Sequence, residues 1–156
     1  GKLELDAPVK RYLPRFSGEG RDAVTLRHLL THTSGLKPGL GARGQWSGAD
    51  RAMEFIHAEV PESPAGSVFK YSDLNFILLG EVVQVVTGER LDAYCRRAIF
   101  QPLGMRDTGF LPDPALLPRM APTERQPDGG VLRGVVIAAS VCVEPVCRLP
   151  EPPVLG

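Results

Sequence analysis

The residues best suited by type and spacing to do chemistry are Tyr71-Ser72-Asp73, two histidines and two serine–lysine pairs. Tyr71 stands between a short extended run, residues 68–70, and an apolar stretch, residues 74–86. A tyrosine at such a junction can present its hydroxyl to a cleft. A free phenol ionises near pH ~10, so proton transfer through it calls for a cation close by. The same stretch also reads as a half-buried tyrosine followed by a helix cap at Ser72 or Asp73. From residues 71–76 alone, both readings stand.

His28 and His32 lie four apart on a predicted helix, which is metal-ligand spacing. A zinc hydrolase of the H-E-x-x-H type needs a glutamate directly after the first histidine, and Leu29 stands there. The other histidine, His57, falls on a different helix. No metal site is expected. The S-x-x-K pattern occurs as Ser34 with Lys37 and as Ser67 with Lys70. It places a lysine one helical turn after a serine, where the amine can take the hydroxyl proton, and it needs a helix that begins at the serine. Ser34 is followed by Gly35 and Pro38 at a helix end, and Ser67 follows Gly66 in an extended run. Both read as chance matches.

The elements that must position these residues are mainly helical. Residues 5–9 open as a turn, Tyr12-Leu13-Pro14 reads as extended, and Ser17-Gly18-Glu19-Gly20 is a loop by composition. Thr25 caps a short helix with Leu26, Leu29 and Leu30 on its apolar face and Gly35 at the left-handed C-terminal position. Residues 35–48 form a long irregular loop around Trp46. A second helix runs over 49–59 with Ala52, Phe55 and Ile56 inward, and stops at Pro61. The 74–86 helix is apolar all round, which predicts burial on most sides, and Gly88 ends it. Leu91, Tyr94, Cys95, Ala98 and Ile99 recur at helical spacing up to Pro102. Gly104-Met105 and Thr108-Gly109-Phe110 turn into a short extended run, and Pro112, Pro114 and Pro118 define a loop. Past about Val136 the periodicity is lost, and residues 137–156 are an irregular, proline-rich tail.

With 156 residues the chain can form one ordinary domain or part of a larger one. Eighteen basic and eighteen acidic side chains leave no net charge, which turns expectation away from nucleic acid and polybasic membrane binding. The apolar stretches 74–86 and 135–143 are too short or too interrupted to span a bilayer. Cys95, Cys142 and Cys147 form no C-x-x-C and imply no disulfide framework, which leaves the compartment open; Cys95 reads as a small core residue.

Taken together, several segments say more. Val24-Thr25-Leu26-Arg27-His28-Leu29-Leu30-Thr31-His32-Thr33-Ser34-Gly35-Leu36 resembles the hallmark run of the β-lactamase-related serine hydrolases. That family includes class C β-lactamases, D-alanyl-D-alanine carboxypeptidases and related esterases. Other segments agree in order: Gly1-Lys2-Leu3 with Pro8-Val9 and Tyr12-Leu13-Pro14, then Pro64-Ala65-Gly66 with Phe69-Lys70-Tyr71-Ser72-Asp73. Leu78-Leu79-Gly80-Glu81, Thr87-Gly88, and Pro102-Leu103-Gly104-Met105 with Thr108 follow. The resemblance covers residues 1–136, the central part of such a domain, and leaves out 137–156.

The resemblance implies an α/β fold, β-lactamase/transpeptidase-like, of which this chain is mostly the helical region with few short strands. It also implies acyl transfer by three separated elements: a serine on an S-x-x-K helix, a tyrosine on a Y-x-N-type loop, and a K-T-G or H-x-G strand. Only the second is expected here, with Tyr71 as the proton-relaying tyrosine and Asp73 where the motif usually has asparagine. An ionised aspartate cannot donate a hydrogen bond, which shifts expectation from β-lactams toward esters. The serine is expected shortly upstream of Gly1 and the third element beyond the tail, as in a gene fragment or a frame-shifted end. The complete parent would take a small ester or amide substrate and no cofactor, while this chain alone is expected to be inactive. Half a domain would expose apolar surface that drives association. The competing expectation is a non-catalytic helical interaction module.

Overall fold

Thr25 begins the first helix as its side chain predicts. Its hydroxyl accepts the N–H of His28, and Nδ1 of His28 accepts the N–H of Thr25, each at 3.2 Å. This reciprocal pair closes a capping box. In the computed structural model, which describes residues 1–40, 48–110, 113–127 and 129–133, the resulting helix α1 is short, Leu26–Leu30. Trp46, Cys142, Cys147 and the 137–156 tail lie outside the described residues. Leu26 and Leu29 are buried, but Leu30, the last residue of the helix, is exposed although it lies on the same face as Leu26. The left-handed helix end expected at Gly35 falls instead at His32, with φ 54°; Gly35 is also left-handed, at 81°, but stands farther along.

The N-terminal segment crosses the start of α1. Pro8 bridges Thr25, and the N–H of Val9 reaches Val24 O at 2.8 Å. Tyr12 is not extended. A 3-10 turn, Val9–Arg11, carries it into helical backbone, with the N–H groups of Tyr12 and Leu13 both donating to Val9 O. Val9, Leu13 and Phe16 thereby enter the core beside Val24, Leu26 and Leu29.

Helix α2 spans Ala49–Ala58, with Ala52 and Ile56 buried and Phe55 half-buried. Nη1 of Arg21 donates to the carbonyl of Ala58 at 3.0 Å, satisfying an open end of the helix. Helix α3 spans Asp73–Thr87 and ends at Gly88, φ 74°. Burial follows one face, Leu74, Leu78 and Val82, at a spacing of four. The expected burial on most sides does not occur: Phe76 is 53% exposed and Val85 57%. Among the described elements α1 and α4 pack on α3, which leaves those residues uncovered.

Helix α4, Leu91–Cys95, does not continue as a regular helix to Ile99. It widens into a π turn, Arg96–Phe100, in which Gln101 donates five residues back to Arg96 at 2.9 Å. Ile99, within the π turn, is exposed, and Cys95, just before it, is half-buried rather than in the core. Around Pro114 and Pro118 the structure has a 3-10 helix, Pro114–Arg119, where a loop was expected; Asp113 caps it by accepting the N–H of Ala115 at 2.8 Å. Strands β1, Pro122–Arg125, and β2, Val131–Arg133, pair antiparallel with a bulge between Pro122 and Glu124. No described helix is long and apolar enough to cross a membrane.

Candidate active site

Residues 32–38 form a spine, and residues 62–73 are fastened along it. Gly66 donates to Thr33 O at 2.7 Å, Glu62 to Gly35 O at 2.8 Å, and Lys70 to His32 O at 2.8 Å. At the far end Asp73 N–H reaches Pro38 O at 2.8 Å, and the Ser72 hydroxyl reaches Lys37 O at 2.6 Å. Ser72 therefore occupies the cap position of α3 without capping it, since its hydroxyl is committed to the spine. Tyr71 is held between these attachments and remains 62% exposed.

A buried polar chain lies beneath this loop. Ser34 donates from Oγ to Asn75 Oδ1 at 2.6 Å and accepts the N–H of Leu36 at 3.1 Å. The amide nitrogen of Asn75 lies 3.1 Å from Nδ1 of His32, which the N–H of Ser72 approaches at 3.2 Å. Ser34, Ser72 and Asn75 are all buried. Above the chain, the His32 ring sits 4.7 Å from that of Tyr71, 5.2 Å from Phe76 and 6.2 Å from Phe69. Such separations belong to packed aromatic pairs.

Tyr71 and Asp73 are brought together. Hydrogen bonding to the Asp73 carboxylate, reinforced by its charge, pushes the Tyr71 phenol above its ordinary pKa. The neighbour of the phenol is thus an anion where catalytic activation calls for a cation. Because the fold holds this proton more tightly than the unfolded chain does, stability from the pair is fully present below the ordinary phenol range and is lost as pH rises above it through the raised titration of Tyr71. Asp73→Asn removes the charge and should lower the Tyr71 titration toward that of a free phenol, read by NMR of 13C-labelled tyrosine. A Tyr71 titration unchanged by the substitution would contradict the assigned cause.

Neither serine–lysine pair is assembled. Lys37 pairs with Glu59 at 2.5 Å in a largely buried contact, while the Ser34 hydroxyl points to Asn75. Lys70 pairs with Glu62 at 2.5 Å, and the Ser67 hydroxyl donates to Pro64 O at 2.6 Å. The Lys70–Glu62 contact holds the Glu62 carboxyl below its usual range. The histidines do not share a helix face, because α1 ends before His32. His28 completes the cap of α1, His32 meets Ser72 and Asn75, and His57 contacts Glu81 through Nε2 at 2.7 Å.

Sequence reasoning missed Asn75 and the part played by His32. A signal for the first was available: an amide inside an apolar helix is buried only with partners. The signal for the second was weaker, because its donors come from 40 and 43 residues away.

Comparison with known proteins agrees with the motifs. The family model described as Beta-lactamase matches residues 1–140. The chain is 38% identical over 130 residues to Esterase EstB of Burkholderia gladioli, covering 71% of this chain and 33% of that protein. It is 34% identical over 127 residues to Penicillin-binding protein 4 of Amycolatopsis lactamdurans, covering 78% of this chain and 33% of the relative. The chain thus spans about a third of the length of these curated relatives. A solved class C beta-lactamase superposes with a TM-score of 0.71 over 85% of this chain and 36% of its own, at 23% identity, a likeness of fold. Its mostly helical elements are part of a β-lactamase/transpeptidase-like fold, and the chain belongs to the Beta-lactamase family of serine hydrolases.

Proposed function

We propose that this chain carries the tyrosine arm of an acyl-transfer site, with Tyr71 as the proton relay and Asp73 setting its protonation. The observation that carries the reading is the pairing of an exposed Tyr71 with Asp73 on a loop fastened to the spine on both sides. In the reaction a serine oxygen attacks an ester carbonyl and its proton leaves along the relay. The ester C–O bond then breaks, and the departing alcohol takes a proton. Water repeats the sequence on the acyl-enzyme. A phenol kept protonated by Asp73 suits the donating half of this exchange. The Asp73 carboxylate cannot donate to a carbonyl, which favours an ester over a β-lactam or peptide amide as substrate.

The 156 residues alone are inactive in this reading. The hydroxyls of Ser34 and Ser67 are engaged by Asn75 and Pro64, and the lysines of both pairs by glutamates. With p-nitrophenyl acetate the purified chain should release nitrophenol no faster than buffer. Turnover that disappears in Tyr71→Phe would overturn this inactivity, and turnover that disappears in Ser34→Ala or Ser67→Ala would make that serine the nucleophile.

A second reading, a non-catalytic interaction module, draws on the apolar surface around the same loop, where Phe69 is 72% exposed and Val68 52%. Such a surface would drive association with a partner. A fluorophosphonate separates the two readings: it labels the nucleophile of a serine hydrolase that carries this chain and leaves an interaction module unlabelled.

A further inference from the structure

Two backbone N–H groups decide where every proton lies in the buried chain beneath Tyr71. The N–H of Ser72 faces His32 Nδ1 at 3.2 Å, and a peptide N–H can only donate, so Nδ1 carries no proton. Asn75 meets the same nitrogen at 3.1 Å and must present its NH2 group to it. Its Oδ1 is thereby turned to Ser34 Oγ, 2.6 Å away, and takes the hydroxyl hydrogen. The lone pair left on Ser34 receives the N–H of Leu36 at 3.1 Å. Flipping the Asn75 amide would set its oxygen against the unprotonated Nδ1. One set of proton positions satisfies the chain, and in it His32 is the neutral Nε2–H tautomer.

We infer that His32, in this tautomer, is the positioning residue for Tyr71, an assignment that rests on reading Tyr71 as the relay. The two peptide N–H groups that flank Tyr71 both end on His32: that of Lys70 on its carbonyl at 2.8 Å, that of Ser72 on its ring nitrogen. The ring then packs against the tyrosine itself, 4.7 Å between centroids. Backbone, side-chain acceptor and ring of one residue thus fix the residue before Tyr71, the residue after it and its aromatic face. The left-handed backbone of His32, φ 54°, is uncommon for residues other than glycine, though histidine adopts it more readily than most, and it accompanies this triple contact.

Two substitutions separate the acceptor from the backbone. His32→Asn keeps a side-chain oxygen that can accept and tolerates left-handed backbone, whereas His32→Gly keeps the backbone alone. In the 156-residue chain, the Tyr71 titration is followed by NMR of 13C-labelled tyrosine, with Tyr12 and Tyr94 as internal controls and circular dichroism reporting the fold. His32→Gly should return Tyr71 to the titration of an ordinary exposed tyrosine while Tyr12 and Tyr94 stay put, and His32→Asn should keep the wild-type titration. An imidazole 15N spectrum of the unsubstituted chain should show the unprotonated nitrogen of His32 at δ1. A Tyr71 titration unmoved in folded His32→Gly, loss of the wild-type titration in His32→Asn, or a proton on Nδ1 would each overturn the assignment. Should His32→Gly fail to fold, the Asn variant and the 15N spectrum still decide. These readouts follow proton position and not turnover, so they stand apart from any failure of Tyr71 as a relay.

Discussion

Gly35→Ala should lower stability by roughly 2–5 kcal/mol and detach the Tyr71 loop from its spine. Two effects add. Gly35 has φ 81°, and a side chain forced into left-handed backbone costs about 1–2 kcal/mol. The new Cβ would also lie 2.1 Å from the carbonyl oxygen of Ser63 and 3.2 Å from Cβ of Pro61. That oxygen is backbone and cannot rotate aside, so the 61–63 segment must move, at a further ~1–3 kcal/mol typical of overpacking. The shift would also break the bond from Glu62 N–H to Gly35 O. Chemical denaturation followed by circular dichroism measures the loss. A midpoint within error of the unsubstituted chain would show that the close crossing of Gly35 and Ser63 is not required.

Asn75→Leu should cost about 2–4 kcal/mol although leucine is close in size and more apolar. Asn75 is fully buried on α3, so a simple hydrophobic account predicts stabilisation. The opposite is expected, because the substitution leaves the Ser34 hydroxyl hydrogen without an acceptor in a site closed to water. An orphaned buried group costs about 1–3 kcal/mol, and the second lost bond, to His32, adds about 1. The double substitution Ser34→Ala with Asn75→Leu removes both partners and should recover much of the loss. If the double variant is no more stable than Asn75→Leu alone, the hydroxyl is not the source of the penalty.

The helices were legible where a local device announced them. The Thr25 cap, Gly88 after the apolar run, and the spacing of Ala52 and Ile56 all act within a turn or two of sequence, and each appears as expected. Tyr71 was legible as the residue just before a helix, and the structure puts it two residues ahead of α3, where the Asp73 carboxylate raises its pKa. What could not be read is which face of an apolar helix meets which neighbour. Phe76 and Leu78 are equally apolar, yet only Leu78 is buried, since burial is set by the segments that pack against α3 rather than by α3 itself. The π turn after Cys95 was hidden for a related reason, because a five-back bond keeps the composition of an ordinary helix. From the sequence His32 reads as a metal-ligand candidate and as part of the 24–36 run. Its hydrogen bonding stays hidden because its two donors arrive from the far side of a long excursion of the chain.

The spine also sets a rule about length. Thr33, Gly35, Lys37 and Pro38 each offer a carbonyl to a fixed donor between residues 62 and 73, and His32 offers both a carbonyl and a ring. One residue inserted or deleted between 32 and 38 shifts the rest of that series by about 3.5 Å, more than any of these bonds can stretch. Ser34 would leave its place opposite Asn75 in the same movement. The spacing of this short run is thus as fixed as its residue types, and a relative that lengthened it would have to fasten the 62–73 segment anew.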